Sequence, residues 1–380
     1  MFLLAGGRVV TPDGVLDPGW IRVAGDVIDA VGYGPVSEHP EVDLRGQWVL
    51  PGFIDMHVHG GGGASFTEGT SDQARLAAAF HRGQGSTTML ASLVTAPIAE
   101  LEARAGLLAG LADDGVVAGL HLEGPFLSPA RRGAQDPRHM IAPDVTLFER
   151  LNAAARGHLR VITVAPELPG ALAVIHAATR AGVTVAVGHT DATAEVTMAA
   201  IDAGAAHATH LFNGMRPLHH RAPGAVGALL DRAEVTCEVI ADGVHLDDIA
   251  VRLTARAAGS GRLVLVSDAM AAAGMPDGSY RLGSQRVTVA GGVARLLENR
   301  TAIAGSTATL ADVVRHAIAA GLPVRDVAAA ASTTPARVLG VAGRTGALRP
   351  GLAADLVVCD DGFRPSAVMR HGEWLTGPSS

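Results

Sequence analysis

The amino-acid sequence predicts an α/β fold, a (β/α)8 TIM-like barrel with a small β-sandwich domain built from both termini. Short apolar runs alternate with alanine-rich, helix-like segments through the middle of the chain, and strand-like runs separated by turns occupy both ends. Most of the middle runs close on a histidine or a carboxylate, and a barrel carries its functional groups at those strand ends. We assign residues 1–49 and 343–380 to the β domain and residues 50–342 to the barrel.

The two ends of the chain have the pattern of short strands joined by turns. Apolar runs at 8–10, 20–23 and 27–31 are separated by turn residues such as those at 11–14. Near the other end, a turn at 346–351 precedes an apolar strand, and 367–374 forms a candidate strand pair. Strand-rich ends around a different middle predict one small β domain to which both termini contribute.

The middle of the chain repeats a strand–helix pattern, which favours a closed barrel over an open sheet. After the last strand, a hairpin insertion is predicted at 278–295 and a return to helix at 308–340. The predicted strands are 49–59, 87–94, 116–123, 159–164, 183–189, 206–212, 236–241 and 263–268. Helix-like segments between them lie at 71–82, 171–181, 193–203 and 247–258.

Composition excludes several classes of protein. No apolar run reaches the ~18 residues of a membrane span, and the first residues lack the features of a signal peptide. Two cysteines, Cys237 and Cys359, argue against a disulfide scaffold and fit a reducing compartment. A net charge of −7 without a basic block argues against nucleic acid as a partner. We therefore expect a cytoplasmic protein that binds a small molecule, with no nucleic-acid or membrane partner.

The stretch from Val49 to Gly63 suggests a metal site. In a strand, the side chains of Asp55, His57 and His59 alternate onto one face, and two such imidazoles can converge on one divalent ion. Four glycines follow and permit a sharp turn. The stretch alone leaves open that these are ordinary histidines near a strand end.

Later strands add a second group of candidate ligands. Glu123, His189 and His210 each end an apolar run and would form a three-ligand set with one open position, which is typical of a hydrolytic site. All 30 basic residues are arginine, so no lysine can be carbamylated and Glu123 is the best candidate for a bridging ligand. Asp268 ends the last strand and could accept a proton from a water, although a role as ligand or helix cap stays open. We expect His207, three residues before His210, on the opposite face in a structural role.

Several motifs then occur in one order along the chain, and together they resemble the amidohydrolase superfamily. Within it, they are most similar to the N-acetylglucosamine-6-phosphate deacetylases. The more specific signals are His121-Leu-Glu-Gly-Pro-Phe126 and the run from Thr209 to Met215. The others are Pro51-Gly-Phe-Ile-Asp-x-His-x-His59, Gly188-His-Thr190, Ala241-Asp-Gly-Val-His245, Ser267-Asp-Ala269 and Gly346-x-Leu-x-Pro-Gly-x-x-Ala-Asp-Leu356.

The resemblance implies a metal-dependent hydrolase. Glu123, His189 and His210 would hold the principal metal, and Asp268 would act as general base and then as general acid. Because both histidines of the first strand are kept, a second ion on His57, His59 and Glu123 is expected. The cofactor would be one or two divalent ions, with Zn²⁺ as the first choice and Fe²⁺, Mn²⁺ or Co²⁺ as alternatives.

The resemblance also implies substrate contacts and a homodimer. Arg221 matches a phosphate-binding arginine that reaches the neighbouring subunit's site. Where the family usually has a histidine, this chain has Gln135, which can hydrogen-bond but cannot carry a charge. The implied contact positions are Gln135, Asn213, Gly214, Arg221, His245 and the loop of Ile303, Ala304, Gly305 and Ser306.

The activity implied is hydrolysis of the N-acetyl group of N-acetyl-D-glucosamine 6-phosphate, giving D-glucosamine 6-phosphate and acetate in amino-sugar catabolism. The departure at Gln135 leaves open a preference for N-acetylgalactosamine 6-phosphate or another N-acyl compound. A protein that binds a sugar phosphate without catalysis is the alternative of a different class. The complete ligand set and Asp268 count against it, because a binding protein needs no general base.

Overall fold

The computed structural model describes residues 2–299 and 301–378, so residues 1, 379 and 380 of the predicted β domain lie outside the described residues. The chain begins with two antiparallel hairpins, β1–β2 and β2–β3, and then returns so that β4 and β5 lie parallel to β1. These strands are β1 (Phe2–Thr11), β2 (Gly14–Ala24), β3 (Val27–Tyr33), β4 (Val42–Asp43) and β5 (Trp48–Pro51).

The strands of the middle form a parallel sheet in chain order from β10 to β16, and β6 pairs in parallel with β9. The amide of Asp268 donates to His57 O at 2.9 Å, and the amide of His59 donates to Ala269 O at 2.8 Å. These bonds join the first strand to the segment after the last one, so the predicted (β/α)8 barrel is confirmed. The strands are β6 (Ile54–Asp55), β7 (Gly60–Gly61), β8 (Ala64–Ser65), β9 (Thr88–Met89), β10 (Ala91–Val94), β11 (Leu120–Glu123), β12 (Leu159–Val164), β13 (Thr184–Val187), β14 (Ala205–Ala208), β15 (Thr236–Val239) and β16 (Leu263–Leu265).

Helices lie between the barrel strands and pack alanine-rich faces on them. Polar side chains fix where they begin: Thr70, Thr193 and Asp247 each accept a hydrogen bond from a backbone amide of the first turn. Among the described residues, no helix is both long enough and apolar enough to cross a membrane. The helices are α1 (Ser71–Gly83), α2 (Ile98–Asp113), α3 (Val145–Ala154), α4 (Ala171–Arg180), α5 (Ala194–Asp202), α6 (Gly224–Asp231), α7 (Asp248–Ala258), α8 (Leu310–Ala319), α9 (Val324–Ala328) and α10 (Thr334–Val338).

The predicted hairpin insertion is a small antiparallel sheet of β17 (Gly278–Leu282), β18 (Gln285–Ala290) and β19 (Val293–Leu296). Its apolar face packs on Met270 and Ala304. The insertion thereby holds the loop around residue 304 against the end of the last barrel strand. It covers the carboxyl-terminal end of the barrel.

The last strands, β20 (Leu356–Cys359), β21 (Pro365–Arg370) and β22 (Glu373–Thr376), join the first ones in one sheet. The strand order is β22-β21-β20-β5-β1-β2-β3, with β4 on β1, so both termini do build the β unit as predicted. The exact division at residues 49/50 and 342/343 stays a prediction.

The predicted single strand 49–59 is wrong. Its first part, β5, belongs to the terminal sheet, and β6 belongs to the barrel. Between them, a Cβ on Gly52 would lie 2.3 Å from Thr87 Oγ1, so only glycine fits where the chain passes from one sheet to the other.

Candidate active site and metal centre

Three of the predicted site residues have left-handed backbone at the carboxyl ends of barrel strands. The φ angles are 46° at His189, 25° at His210 and 47° at Asp268. Such angles are uncommon for residues with a Cβ and store strain, which accumulates at functional sites. Each turn follows a parallel strand by two or three residues and aims its side chain into the mouth of the barrel. The backbone at these three strand ends therefore has the strained conformation that is typical of a functional site.

Glu123 lies at the centre of the predicted ligands. Its Oε1 is 2.9 Å from the Nε2 atoms of both His189 and His210. Its Oε2 is 3.2 Å from His59 Nε2 and 3.6 Å from His57 Nε2. The donor atoms of His57, His59 and Glu123 lie within 4.8 Å of one another, and so do those of Glu123, His189 and His210. The structure brings the four predicted histidine ligands together around the carboxylate of the fifth ligand, Glu123.

Asp268 adjoins this cluster from the last strand. Its Oδ1 is 3.2 Å from His59 Nε2 and 3.4 Å from His57 Nε2. The carboxylate is buried, yet it borders the cavity above the cluster. It is therefore placed between the histidines and the space open to a small molecule.

The hydrogen bonds of Nδ1 in two of the histidines show how their Nε2 atoms face Glu123. His59 Nδ1 lies 3.2 Å from Ser92 O, and His189 Nδ1 lies 2.8 Å from Arg131 O. A carbonyl oxygen only accepts, so these rings carry their proton on Nδ1 and present an Nε2 lone pair to Glu123. Lone pairs and carboxylate oxygens at this spacing repel unless a proton or a metal ion lies among them. The chemistry of the donors therefore supports a divalent metal.

The electrostatics of the cluster point the same way. Burial lowers the pKa of His59, but with no metal bound the hydrogen bonds from its ring to Asp268 and Glu123 outweigh burial and raise that pKa to about 9, so a proton on Nε2 then takes the position of the metal ion. Burial raises the pKa of Glu123, but the charge of His57 and the bonds from His189 and His210 bring it well below its ordinary value. The carboxylates stay ionised in a buried place that favours added positive charge, as a metal ion provides.

Glu238, which the sequence analysis did not single out, supports two of the ligands from below. It is buried in β15, and its Oε2 lies 3.2 Å from His57 Nδ1 and accepts from the His210 amide at 3.1 Å. Its Oε1 lies 2.9 Å from His207 Nε2. The sequence does contain a signal for Glu238. It is a carboxylate inside an apolar strand, four residues before Asp242 and on the same face.

The expected placement of His207 is wrong. It contacts Glu238 inside the barrel, because β14 ends at Ala208 and the left-handed turn at His210 breaks the two-residue alternation. Its structural role stays a prediction.

Asp55 ends β6 two residues before His57, but it does not share the contacts of His57 and His59. Its Oδ2 accepts from Ser267 Oγ at 2.6 Å, and its Oδ1 accepts from Ser267 N at 3.2 Å. Burial raises its pKa to about 6. Asp55 ties the first strand to the last one beneath the metal cluster.

Gln135 is bound to the central carboxylate. Its Nε2 donates to Glu123 Oε2 at 2.6 Å, and its Oε1 accepts from the Thr95 amide at 2.8 Å. The backbone donor fixes which way the amide points. Gln135 also borders the cavity, so the residue predicted as a substrate contact additionally holds Glu123.

A cavity of about 210 Å³ opens above the cluster. Gly214 allows its wall to approach His189, since a Cβ there would lie 2.8 Å from His189 Nδ1 and the residue has φ +61°. His57, Ala304 and Ser306 are buried behind the lining. The predicted residues that line it are His59, Glu123, Gln135, His189, His210, Asn213, Gly214, His245, Asp268, Ile303 and Gly305.

His245 is oriented by its neighbours. Its Nδ1 lies 2.8 Å from Asp242 Oδ2, which also accepts from Ser306 Oγ at 3.0 Å. Burial raises the pKa of Asp242, but the bond to His245 outweighs it and lowers that pKa to about 2. The ionised Asp242 fixes the ring so that Nε2 is left for the cavity.

Arg221, another predicted contact, lies on the surface of the protein and away from the cavity of its own chain. It is exposed, and its guanidinium approaches the neighbouring His220 Nε2 at 2.6 Å. It is not among the residues that line the cavity.

The chain matches the amidohydrolase family over residues 48–375. The N-acetylgalactosamine-6-phosphate deacetylase of Escherichia coli O157:H7 is 36% identical over 376 residues, 98% of this chain and 98% of the relative. The N-acetylglucosamine-6-phosphate deacetylase of Bacillus subtilis (strain 168) is 34% identical over 363 residues, 92% of this chain and 91% of the relative.

A solved structure is similar over the whole fold. It is a mutant of the N-acetyl-D-glucosamine-6-phosphate deacetylase from Mycobacterium smegmatis in complex with N-acetyl-D-glucosamine-6-phosphate. It is 45% identical, has a TM-score of 0.96 and covers 99% of each chain. The resemblance inferred from the motifs is thereby confirmed, and the chain belongs to the amidohydrolase family.

Proposed function

We propose that this protein is a metal-dependent deacetylase that converts N-acetyl-D-glucosamine 6-phosphate and water into D-glucosamine 6-phosphate and acetate. The observation that carries the proposal is the Asp268 carboxylate, placed between a converging His/Glu donor set and a small polar cavity. Similarity to deacetylases of both N-acetylglucosamine 6-phosphate and N-acetylgalactosamine 6-phosphate supports the substrate class.

Asp268 carries the proton in this reaction. It accepts a proton from the attacking water as the water oxygen bonds to the acetyl carbon. The C–N bond then breaks, and Asp268 gives the same proton to the departing amine nitrogen. When bound, the divalent metal supplies Lewis acidity that polarises the carbonyl and favours deprotonation of water.

The donor set has room for one or two ions. We assign Glu123, His189 and His210 to the principal ion and His57, His59 and Glu123 to the second, with zinc as the expected metal. Gln135 and Glu238 hold the ligands through Glu123, His57 and His210. Such outer contacts fix ring and carboxylate orientation and raise metal affinity.

We assign the sugar phosphate to residues that line the cavity beside the donor set. Asn213, the backbone of Gly214 and His245 are the proposed contacts, and the loop of 303–306 lies against the sugar. Because Arg221 is exposed and away from its own cavity, we assign it to the phosphate in the neighbouring subunit of a homodimer.

Acetate release from a panel of substrates tests the function. We expect turnover of N-acetylglucosamine 6-phosphate, slower or comparable turnover of N-acetylgalactosamine 6-phosphate, and poor turnover of unphosphorylated N-acetylglucosamine. No acetate from either phosphorylated sugar, with the metal present, would leave only a binding role.

Arg221→Ala is expected to raise KM for the phosphorylated sugar by one to two orders of magnitude, as loss of a charge-assisted contact does. The KM for the unphosphorylated analogue should stay nearly constant, because that analogue offers Arg221 no phosphate. Arg256→Ala, at an exposed arginine outside the cavity, serves as control. Equal effects on both substrates would contradict the phosphate role.

A further inference from the structure

A second cavity, of about 390 Å³, lies at the end of the barrel opposite the metal centre. Its wall includes the beginnings of β9 and β12 and the segment before β11. The terminal sheet closes the other side through the segment before β20 and the end of β21. The cavity therefore lies between the amino-terminal ends of the barrel strands and the β unit built from the two termini.

The lining of this cavity is strongly basic. The described residues that line it include four arginines, Arg82, Arg160, Arg344 and Arg370, with Asp355 as their only carboxylate. Asp355 accepts from Thr345 Oγ1 at 2.7 Å and from the His371 amide at 2.9 Å, which are both neutral donors, so its charge still offsets one of the four arginines. The other arginine charges have no carboxylate among the lining residues that the structure describes.

Arg82 and Arg370 form the inner part of the lining. Both donate to the carbonyl of Gly115, at 2.8 Å and 3.2 Å, and Arg82 also donates to Val116 O at 2.7 Å. Arg370 Nε donates to Thr87 O at 3.1 Å. All of these acceptors are neutral, and the buried Nε of Arg82 has no acceptor among the described residues.

Bringing two guanidinium groups together in a partly buried place is costly without an anion. Burial and, to a smaller extent, the charge of Arg370 lower the pKa of Arg82 to about 10. Burial also lowers the pKa of Arg370, although the charge of Asp355 acts in the opposite direction. Guanidinium groups recognise the oxygens of phosphate and carboxylate groups through paired N–H donors.

We propose that this cavity binds a small oxyanion bearing a phosphate or carboxylate group, with Arg82 and Arg370 as its inner contacts and Arg160 and Arg344 as its outer contacts. Since Arg82 lies in the last turn of α1 and Arg370 ends β21, the anion joins the barrel to the terminal sheet. The site is separate from the proposed catalytic cavity and does not depend on the deacetylase assignment.

Calorimetric titration of the metal-loaded protein with inorganic phosphate tests the proposal. Arg160→Gln/Arg344→Gln removes the two outer contacts, which are exposed and have at most one weak hydrogen bond, Arg160 Nε to Ala118 O at 3.5 Å. Arg256→Gln/Arg349→Gln removes two exposed arginines outside the cavity and is the matched control. Phosphate binding at the catalytic cavity is common to all three proteins, so the difference between them reports the second cavity.

We expect the Kd of one phosphate equivalent to rise at least tenfold in Arg160→Gln/Arg344→Gln and to stay unchanged in the control, with acetate release unaltered in both. Parallel titrations with sulfate and citrate distinguish a tetrahedral anion from a carboxylate, and preference for either supports the site. Identical stoichiometry and affinity in the wild type and Arg160→Gln/Arg344→Gln would overturn it. Equal weakening in the control would also overturn it, because the effect would then be one of overall charge. In either case Arg82 and Arg370 would serve only to connect the barrel and the terminal sheet by hydrogen bonds.

Discussion

Replacing Asp268 by asparagine should lower kcat for acetate release by about 10³-fold or more while leaving bound metal unchanged. Asparagine keeps the size of the side chain but cannot accept a proton from the attacking water or return it to the amine. The measurement is kcat by acetate release together with metal content by elemental analysis.

Asp231→Asn, at an exposed aspartate outside the cavity, is the matched control for this substitution and should behave as the wild type. Near-normal turnover of the Asp268→Asn protein would remove Asp268 from the mechanism. Loss of metal in parallel with activity would instead make Asp268 a ligand, the alternative that its position beside His59 leaves open.

Glu123→Gln should have the second large effect, the loss of both metal equivalents and of all measurable turnover. The glutamine amide is uncharged, and only one of its two terminal atoms can accept, whereas Glu123 places one oxygen against His189 and His210 and the other against His59. Metal content after dialysis against a defined free zinc concentration measures the effect.

The double variant His57→Ala/His59→Ala provides the comparison. It removes two donors of only one group and leaves Glu123, His189 and His210, so it should lose one metal equivalent and keep part of its activity. Loss of all metal from the double variant would mean that the two groups form a single site. Retention of both metal equivalents by the Glu123→Gln protein would exclude Glu123 as the shared ligand.

Much of the site follows from the sequence because strand ends in a parallel barrel meet at one place. Glu123, His189, His210 and Asp268 each close an apolar run, and the closed barrel brings them together without any knowledge of their distances. The two histidines of the first strand were predicted from their spacing, and their Nε2 atoms do lie 3.1 Å apart.

The parts that could not be predicted depend on breaks in regular structure and on partners far apart in the chain. A two-residue alternation placed His207 on the wrong face, because left-handed backbone at His210 ends the alternation. The predicted first strand is divided between two sheets at Gly52. The reason, a close approach to Thr87 that leaves no room for a Cβ, is visible only in the folded chain. Gln135 holds Glu123, and Glu238 holds His57 from 181 positions away, by bonds that only the folded chain reveals.

Acetate release by metal-stripped and metal-reconstituted protein tests most directly that the strand-end cluster is a hydrolytic metal centre. The chelated protein, shown by elemental analysis to hold no divalent metal, should release no acetate from N-acetylglucosamine 6-phosphate above the blank. Adding zinc should restore turnover, with the increase complete by two equivalents per chain. Full turnover by the metal-free protein, or none after both equivalents are bound, would contradict the proposed chemistry.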